Sequence, residues 1–180
     1  MRPFALAAIM VLTAIFASSH DLAVAQDSPT VRAVEFAHQP PATDFELPTL
    51  DDESLALTDF LGRFVLINFW ATWCPPCVRE LPSFNQLQAQ FDEDTLTILA
   101  ISSDEEGADE VLPFVREMSL IYRVLLDSDA AVSTSYGATH LPVTFLVNPE
   151  GKIVAAFQGE RDWASDVMIQ WFKEKLQSSG

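Results

Sequence analysis

The chain of 180 residues carries 10 basic and 26 acidic side chains, which gives a formal net charge of −16 at pH 7. Because 49% of its residues are hydrophobic and only 6 are glycine, its composition excludes a disordered or collagen-like chain and fits one compact domain. An acidic surface repels phosphate backbones and the sequence contains no basic stripe, so nucleic-acid binding is excluded as well.

The first 25 residues have the features of a secretory signal peptide. Arg2 precedes an apolar run over residues 4–17, and Ala23-Val24-Ala25 has the small-x-small pattern of a cleavage site, so cleavage is predicted after Ala25. The apolar run is shorter than the roughly 20 residues that a membrane-spanning helix needs. A retained anchor in the inner membrane is the alternative, and only then would the protein contact a membrane. Export places the chain in the periplasm, where disulfides form.

Residues 26–41 are polar and end in two prolines, which predicts an extended lead-in to a domain over residues 42–180. Short apolar runs alternate with helical patterns in that domain, and an acid-dense run over residues 103–110 predicts a solvated loop that leads into a helix. This alternation indicates an α/β fold with a mixed sheet. The predicted strands are 64–70, 95–101, 122–126, 143–147 and 152–157, and the predicted helices begin near Cys77, at 108 and at 130. The closing helix is predicted from two rows at i,i+4 spacing, which are Trp163, Val167, Trp171 and Met168, Phe172, Leu176.

The two cysteines, Cys74 and Cys77, lie between the strand over residues 64–70 and a helix. A cysteine at a helix N-terminus faces free backbone N–H groups that stabilise its thiolate, and the intervening Pro75 and Pro76 suit a first helical turn. We therefore expect an exposed Cys74 to be the nucleophile and a more buried Cys77 to resolve, the pair cycling through a Cys74–Cys77 disulfide. A static disulfide across so short a loop adds little stability, and a zinc site lacks ligands at suitable spacing, so no metal is expected.

The sequence LINFWATWCPPCVRELP over residues 66–82 resembles the TlpA/ResA branch of thioredoxin-like proteins. Further similarity over residues 42–50, 57–62 and 136–151 extends this resemblance across essentially the whole mature domain. The resemblance implies a thioredoxin fold, with a central mixed β-sheet flanked by helices and an N-terminal extension. It also implies an envelope location and thiol–disulfide exchange with other proteins, without a bound cofactor.

The resemblance further implies roles for residues around the cysteine pair. Leu141-Pro142 matches the family's cis-proline loop, which receives the extended substrate chain. Glu80 lies one helical turn after Cys77 and could exchange a proton with its thiol if burial raises the pKa of the carboxyl group. From spacing alone, an exposed helix carboxylate is the favoured interpretation, and only the resemblance favours a functional role for Glu80. Asn68 stands where ordinary cytoplasmic thioredoxins carry a buried acid, and its neutral amide cannot relay protons.

Four further residues are expected to shape the site. Trp73 precedes the nucleophile and is expected to form part of the exposed docking surface, whereas Trp70 is expected to pack beneath it. Pro75 and Pro76 separate the cysteines and influence the redox balance of the pair, although they do not predict a potential.

These features predict a periplasmic thiol:disulfide oxidoreductase that acts on protein disulfide or dithiol clients. The resemblance favours a reductant, as in cytochrome c maturation or copper-site assembly, which a membrane thiol electron donor would have to re-reduce. A Cu(I)-handling module that binds the metal through the same two thiolates is the alternative. A thiol peroxidase ranks last, because peroxiredoxins rely on a lone peroxidatic cysteine.

Overall fold

The computed structural model describes residues 31–177, so the predicted signal segment over residues 1–25 lies outside the described residues. Within this range the chain forms eight strands, four α-helices and one 3-10 helix, Leu57–Phe60. In chain order they are β1 (Val34–Glu35), β2 (Glu46–Pro48), β3 (Ser54–Ala56), the 3-10 helix, β4 (Phe64–Trp70), α1 (Pro75–Gln88), β5 (Leu96–Ser102), α2 (Ala108–Glu117), β6 (Arg123–Leu126), α3 (Ala131–Ser135), β7 (Val143–Val147), β8 (Ile153–Gln158) and α4 (Asp166–Gln177). No helix in this part of the chain has the length and apolar character that crossing a bilayer requires.

Six of the strands form one mixed sheet in the order β1-β8-β7-β4-β5-β6. Strands β4, β5 and β6 run parallel, as expected where helices connect successive strands. Strand β7 pairs antiparallel with β4 and β8, and β1 pairs antiparallel with β8. The remaining strands, β2 and β3, form a separate two-stranded sheet. This topology confirms the predicted α/β fold with a central mixed sheet flanked by helices.

Strand β4 is buried along its whole length, and its side chains alternate between two hydrophobic clusters. Leu66 and Trp70 pack with residues of α1, α2 and α4 on one face. Ile67 and Phe69 pack on the other face with residues of β2 and the 3-10 helix. Asn68 lies two residues from both Leu66 and Trp70, so its side chain points to the same face of the sheet as theirs. The amide therefore faces α1.

The described end of the predicted lead-in takes part in the sheet. Val34 pairs with Ala156 and Glu35 with Ala155, which makes β1 an edge strand. The Glu35 carboxylate accepts a hydrogen bond from Lys175 at 2.7 Å, which ties this strand to α4. A strand of two residues has no readable periodicity, so this pairing was not predicted from the sequence.

Two predicted helix positions differ from those observed. Helix α1 begins at Pro75 and not near Cys77, because Cys74 serves as its N-cap residue. Trp163 was predicted in the closing helix, whereas α4 begins at Asp166 and Trp163 lies in the preceding loop. The i,i+4 spacing suits a helix, but the backbone N–H of Trp163 instead donates to Ser83 of α1 at 3.1 Å.

Candidate active site

The two cysteines form a disulfide at the N-terminus of α1, with 5.3 Å between their Cα atoms. The Sγ atom of Cys74 accepts a hydrogen bond from the backbone N–H of Cys77 at 3.4 Å. Pro75 and Pro76 occupy the first turn, where a missing N–H costs no helical hydrogen bond. After reduction, the same backbone N–H of Cys77 can stabilise a thiolate on Cys74. Cys74 is the residue that the sequence predicts to attack first.

Cys74 is less exposed than the sequence predicts. Cys74 is 5% exposed and Cys77 is fully buried. Both belong to the hydrophobic cluster that lies between the sheet and helices α1, α2 and α4. Of the two sulfur-bearing residues, only Cys74 therefore offers any surface to a client. The adjacent Trp73 is 64% exposed, whereas Trp70 is fully buried, and both placements agree with expectation.

The peptide bond between Leu141 and Pro142 is cis, as the resemblance implied. Pro142 is buried just before β7, and its carbonyl accepts a hydrogen bond from the N–H of Gly159 at 2.9 Å. Leu141 is half-buried and lines the same groove as Trp73. The fold thus brings the two predicted docking segments, which are 68 positions apart, to one surface beside the disulfide. Their role in client docking stays a prediction.

Glu80 is buried, with 2% of the side chain exposed, so the reading of this residue as an exposed helix carboxylate is wrong. Its carboxylate accepts three hydrogen bonds from N–H groups. Trp163 Nε1 and the backbone N–H of Arg161 donate to Oε2 at 3.1 and 3.2 Å, and Asn68 Nδ2 donates to Oε1 at 3.0 Å. The donors come from β4 and from the loop between β8 and α4, so the packing of three elements forms this site.

Burial raises the pKa of Glu80 to about 7, because desolvation penalises the charged carboxylate. The hydrogen bonds from Trp163, Arg161 and Asn68 and the charge of the Arg161 guanidinium lower it and so oppose that rise in part. A carboxyl group with this pKa can both take up and release a proton near neutral pH. Proton exchange with Cys77, one helical turn earlier, remains a prediction.

Asn68 links Glu80 to β7, the strand that pairs antiparallel with β4. Its Nδ2 also donates to Thr144 Oγ1 of β7 at 2.9 Å. Its Oδ1 is buried and has no hydrogen-bond partner among the described residues. The amide therefore positions the carboxylate through its N–H donors, and because an amide does not titrate near neutral pH it cannot relay a proton.

The loop between β8 and α4 is a part of the site that sequence reasoning missed. The Arg161 guanidinium donates to the carbonyls of Arg32 and Gln158 and lies over the ring of Trp163, 5.4 Å from its centroid. These contacts hold the loop so that the backbone N–H of Arg161 points at Glu80. The signal that could have found the loop was Trp163 itself, a large aromatic residue with a polar N–H that needs a partner when buried.

A second buried carboxylate fixes the segment that precedes Cys74. Asp104 accepts hydrogen bonds from the backbone N–H of Thr72 at 3.1 and 3.0 Å, from its hydroxyl at 2.6 Å, and from the Ser102 hydroxyl at 2.5 Å. The prediction that residues 103–110 form a solvated loop is therefore wrong for Asp104, although Glu105 and Glu106 are exposed. Asp104 is buried because hydroxyl and amide donors replace its lost water.

Replacement of Trp163 by phenylalanine should raise the pKa of Glu80. The variant loses the N–H donor but keeps an aromatic ring against Phe84, whose centroid lies 4.6 Å away. Because a hydrogen bond to a charged group contributes about 1.5 kcal/mol, the midpoint of the pH–rate profile should move up by about one pH unit. Trp171→Phe is the matched control, since Trp171 also packs in an aromatic cluster but its Nε1 donates to Glu35. An equal shift in both variants would contradict this assignment.

Within residues 31–177, no three histidine, cysteine, aspartate or glutamate side chains are grouped in a metal-binding arrangement. Cys74 and Cys77 are the pair through which the Cu(I) alternative would operate once reduced.

Residues 39–156 match the sequence model of the AhpC/TSA family. The chain is 34% identical over 120 residues to the thiol-disulfide oxidoreductase ResA of Bacillus thuringiensis subsp. konkukian (strain 97-27), a match that covers 67% of this chain and 69% of the relative. It is 30% identical over 149 residues to the thiol-disulfide oxidoreductase ResA of Bacillus subtilis (strain 168), covering 83% of this chain and 75% of the relative.

Solved structures show the same similarity in three dimensions. The thioredoxin domain of a thiol-disulfide oxidoreductase from Bacteroides vulgatus superimposes with a TM-score of 0.68 at 26% identity, covering 78% of this chain and 99% of that domain. A thiol:disulfide interchange protein of the thioredoxin family from Chlorobium tepidum TLS gives a TM-score of 0.66 at 26% identity, with coverage of 78% and 99%. The names of these similar proteins all refer to disulfide exchange.

Proposed function

We propose, from the premise that this chain belongs to the AhpC/TSA family of thioredoxin-like proteins, that it reduces the disulfide bonds of other proteins outside the cytoplasm. The protein is a thiol:disulfide oxidoreductase of the ResA type. The observation that carries the proposal is the Cys74–Cys77 pair at a helix N-terminus, with an exposed Trp73 on one side and the buried Glu80 on the other. Three points are proposed: electrons flow from this protein to its clients, the clients are other proteins with disulfide bonds, and the reaction takes place outside the cytoplasm.

The reaction begins with the reduced protein. The Cys74 thiolate attacks one sulfur of the client disulfide, so a Cys74–client disulfide forms while the client's second sulfur leaves as a thiolate and takes up a proton. Cys77 then loses its proton to Glu80 and attacks Cys74 Sγ, which breaks the mixed disulfide and releases the second client thiol. Two electrons pass to the client, and the protein ends with the Cys74–Cys77 disulfide.

The charges around the pair favour a reductant. A strong oxidant of this fold gains its potential by stabilising the reduced thiolate, which cationic neighbours do well. Here Arg79, two residues after Cys77, is engaged in a bidentate pair with Glu160, in which Nε donates to Oε1 and Nη2 donates to Oε2. The charged side chain buried beside the pair on α1 is Glu80, and a carboxylate gives a thiolate no stabilisation.

The signal-like segment over residues 1–25 supports a periplasmic location, with membrane anchoring as the alternative. A reductant in an oxidising compartment needs electrons from elsewhere, so we infer a membrane thiol donor that restores the dithiol. Client proteins with cysteines that must be reduced before they bind haem or copper, as in cytochrome c maturation or copper-site assembly, suit such an activity.

The redox potential of the pair, measured together with insulin reduction, peroxide turnover and bound copper, tests the proposal. We expect a potential more negative than about −180 mV, catalysis of insulin reduction and no peroxide turnover. A potential far more oxidising than about −180 mV would overturn the reductant assignment. Stoichiometric copper on the reduced protein with poor insulin reduction would favour the Cu(I)-handling module, and peroxide turnover would favour the peroxidase. The Cys74→Ser variant is the control for each assay.

A further inference from the structure

A groove of about 620 Å³ opens next to the redox pair. Trp73 and Leu141 line the groove beside the cysteines. The loops that follow β5 and β6, together with α3, supply the remaining wall, with small and hydroxyl-bearing side chains such as Ser133 and Thr134. The groove thus lies outside the carboxyl ends of parallel strands, where open α/β sheets bind their ligands.

The charges in this groove are all of one sign. Glu105 and Asp129 line it, both side chains are exposed, and none of the described residues that line it is basic. The Asp129 carboxylate accepts a hydrogen bond from the backbone N–H of Ala131 at 3.1 Å, which leaves its charge in place. Neither carboxylate takes part in an ion pair within the described part of the chain. The site next to the nucleophile therefore presents two uncompensated negative charges.

Other features of the groove are suited to a long cationic side chain. The exposed ring of Trp73 offers a surface on which the stem of a lysine or arginine can pack and to which its charge is attracted. The Oγ of Ser103, a residue that also lines the groove, has no hydrogen-bond partner in the described residues. The net charge of −16 adds a general attraction for basic partners.

We propose that this groove selects client segments that carry a lysine or arginine next to the cysteine under attack. The basic side chain lies along Trp73 and places its charge between Glu105 and Asp129, while the client cysteine meets Cys74. This inference deepens the proposed function and rests on it, because it concerns the substrate class of the same reaction. Electrostatic complementarity of this kind acts chiefly on the rate of encounter.

The test compares disulfide-linked dimers of one short peptide in which the residues flanking the cysteine are lysine, glutamine or glutamate. The reduced full-length mature protein is mixed with each dimer, and the second-order rate constant of reduction is measured at low and high ionic strength. We expect the lysine peptide to react at least about 10-fold faster than the glutamate peptide at low salt, with the ratio falling as salt screens the charges.

Two double variants separate the groove from the overall charge. In Glu105→Gln/Asp129→Asn the lysine-to-glutamate rate ratio should fall to about 2-fold or less at low salt. The control Glu117→Gln/Asp51→Asn removes the same charge from exposed positions outside the groove and should retain most of the ratio. Equal rates for the lysine and glutamate peptides, or an equal loss of the ratio in both variants, would overturn the groove proposal alone. Failure of the wild type to reduce any of the three peptides would overturn the proposed function with it.

Discussion

Replacement of Cys74 by serine is expected to abolish disulfide exchange, with a loss on the order of 10³-fold or more, because the chain then lacks its nucleophile. Cys77→Ser is expected to block turnover at a different step. Cys74 can still attack, since it has the exposed surface of the pair and faces the N–H at position 77, but nothing resolves the mixed disulfide. The variant should therefore accumulate a covalent adduct with the client.

Mass spectrometry under non-reducing conditions distinguishes the two steps. After reaction with a disulfide-bonded peptide, Cys77→Ser should gain the mass of one peptide, whereas Cys74→Ser and the double variant should gain none. The double variant controls for adventitious adducts. An adduct that forms on Cys77 in the Cys74→Ser protein, at the rate of wild-type exchange, would reverse the assigned order of attack.

Replacement of Glu80 by glutamine is expected to slow exchange by about 10²-fold, in the range for loss of a general acid or base. Because burial raises the pKa of Glu80 to about 7, the wild-type rate should change across pH 6–8, and the variant should lose that step. The pH at which the thiols titrate should also shift. The measurement is the rate of reduction of one peptide disulfide from pH 5 to pH 9. A pH–rate profile identical to that of the wild type would reject proton exchange through Glu80.

The same variant has a thermodynamic readout that is independent of catalysis. The folded-state pKa of about 7 lies above the ordinary value of 4.5, so the native protein binds this proton more tightly than the unfolded chain. The resulting stabilisation is complete below pH 4.5 and is lost as the pH rises through 7. From pH 5 to pH 8, the free energy of unfolding of the oxidised wild type should fall, relative to that of Glu80→Gln, by about 2–3 kcal/mol.

Denaturant unfolding of both oxidised proteins at the two pH values measures this difference. Glu117→Gln, which removes an exposed carboxylate from the end of α2, controls for the change in net charge. A difference between wild type and Glu80→Gln that is independent of pH would contradict a buried carboxyl group that titrates near neutrality.

Several parts of the fold and site were predictable because their signals are local. The run FVLINFW is apolar at nearly every position, and it forms the strand that is buried on both faces, β4. Asn148 to Gly151 predicted a turn, and the Asn148 side chain accepts hydrogen bonds from the N–H groups of Glu150 and Lys152 there. The two cysteines and their prolines predicted a helix N-terminus, which they form.

Contacts between distant segments were not predictable in this way. Trp163 fits the i,i+4 spacing of the closing helix, and its true position depends on a hydrogen bond to Glu80, 83 positions earlier in the chain. Asp104 is one of several acids in an acidic run, and it is buried because Thr72, 32 positions earlier, donates to it. The cis form of the Leu141–Pro142 bond was expected from a family resemblance and not from its spacing.

The sequence by itself therefore determined the order of strands and helices from β4 onward, the redox pair at a helix N-terminus and the strong negative charge, because hydrophobic periodicity, helix capping and composition are local properties. Only the tertiary structure decided that Glu80 is buried, that Trp163 and Arg161 donate to it, and that Glu105 and Asp129 face one groove with Trp73. The physical reason is that desolvation and charge proximity depend on which distant segments pack together. An exposed and a buried helix glutamate have the same local sequence pattern, and their different chemistry arises from that packing.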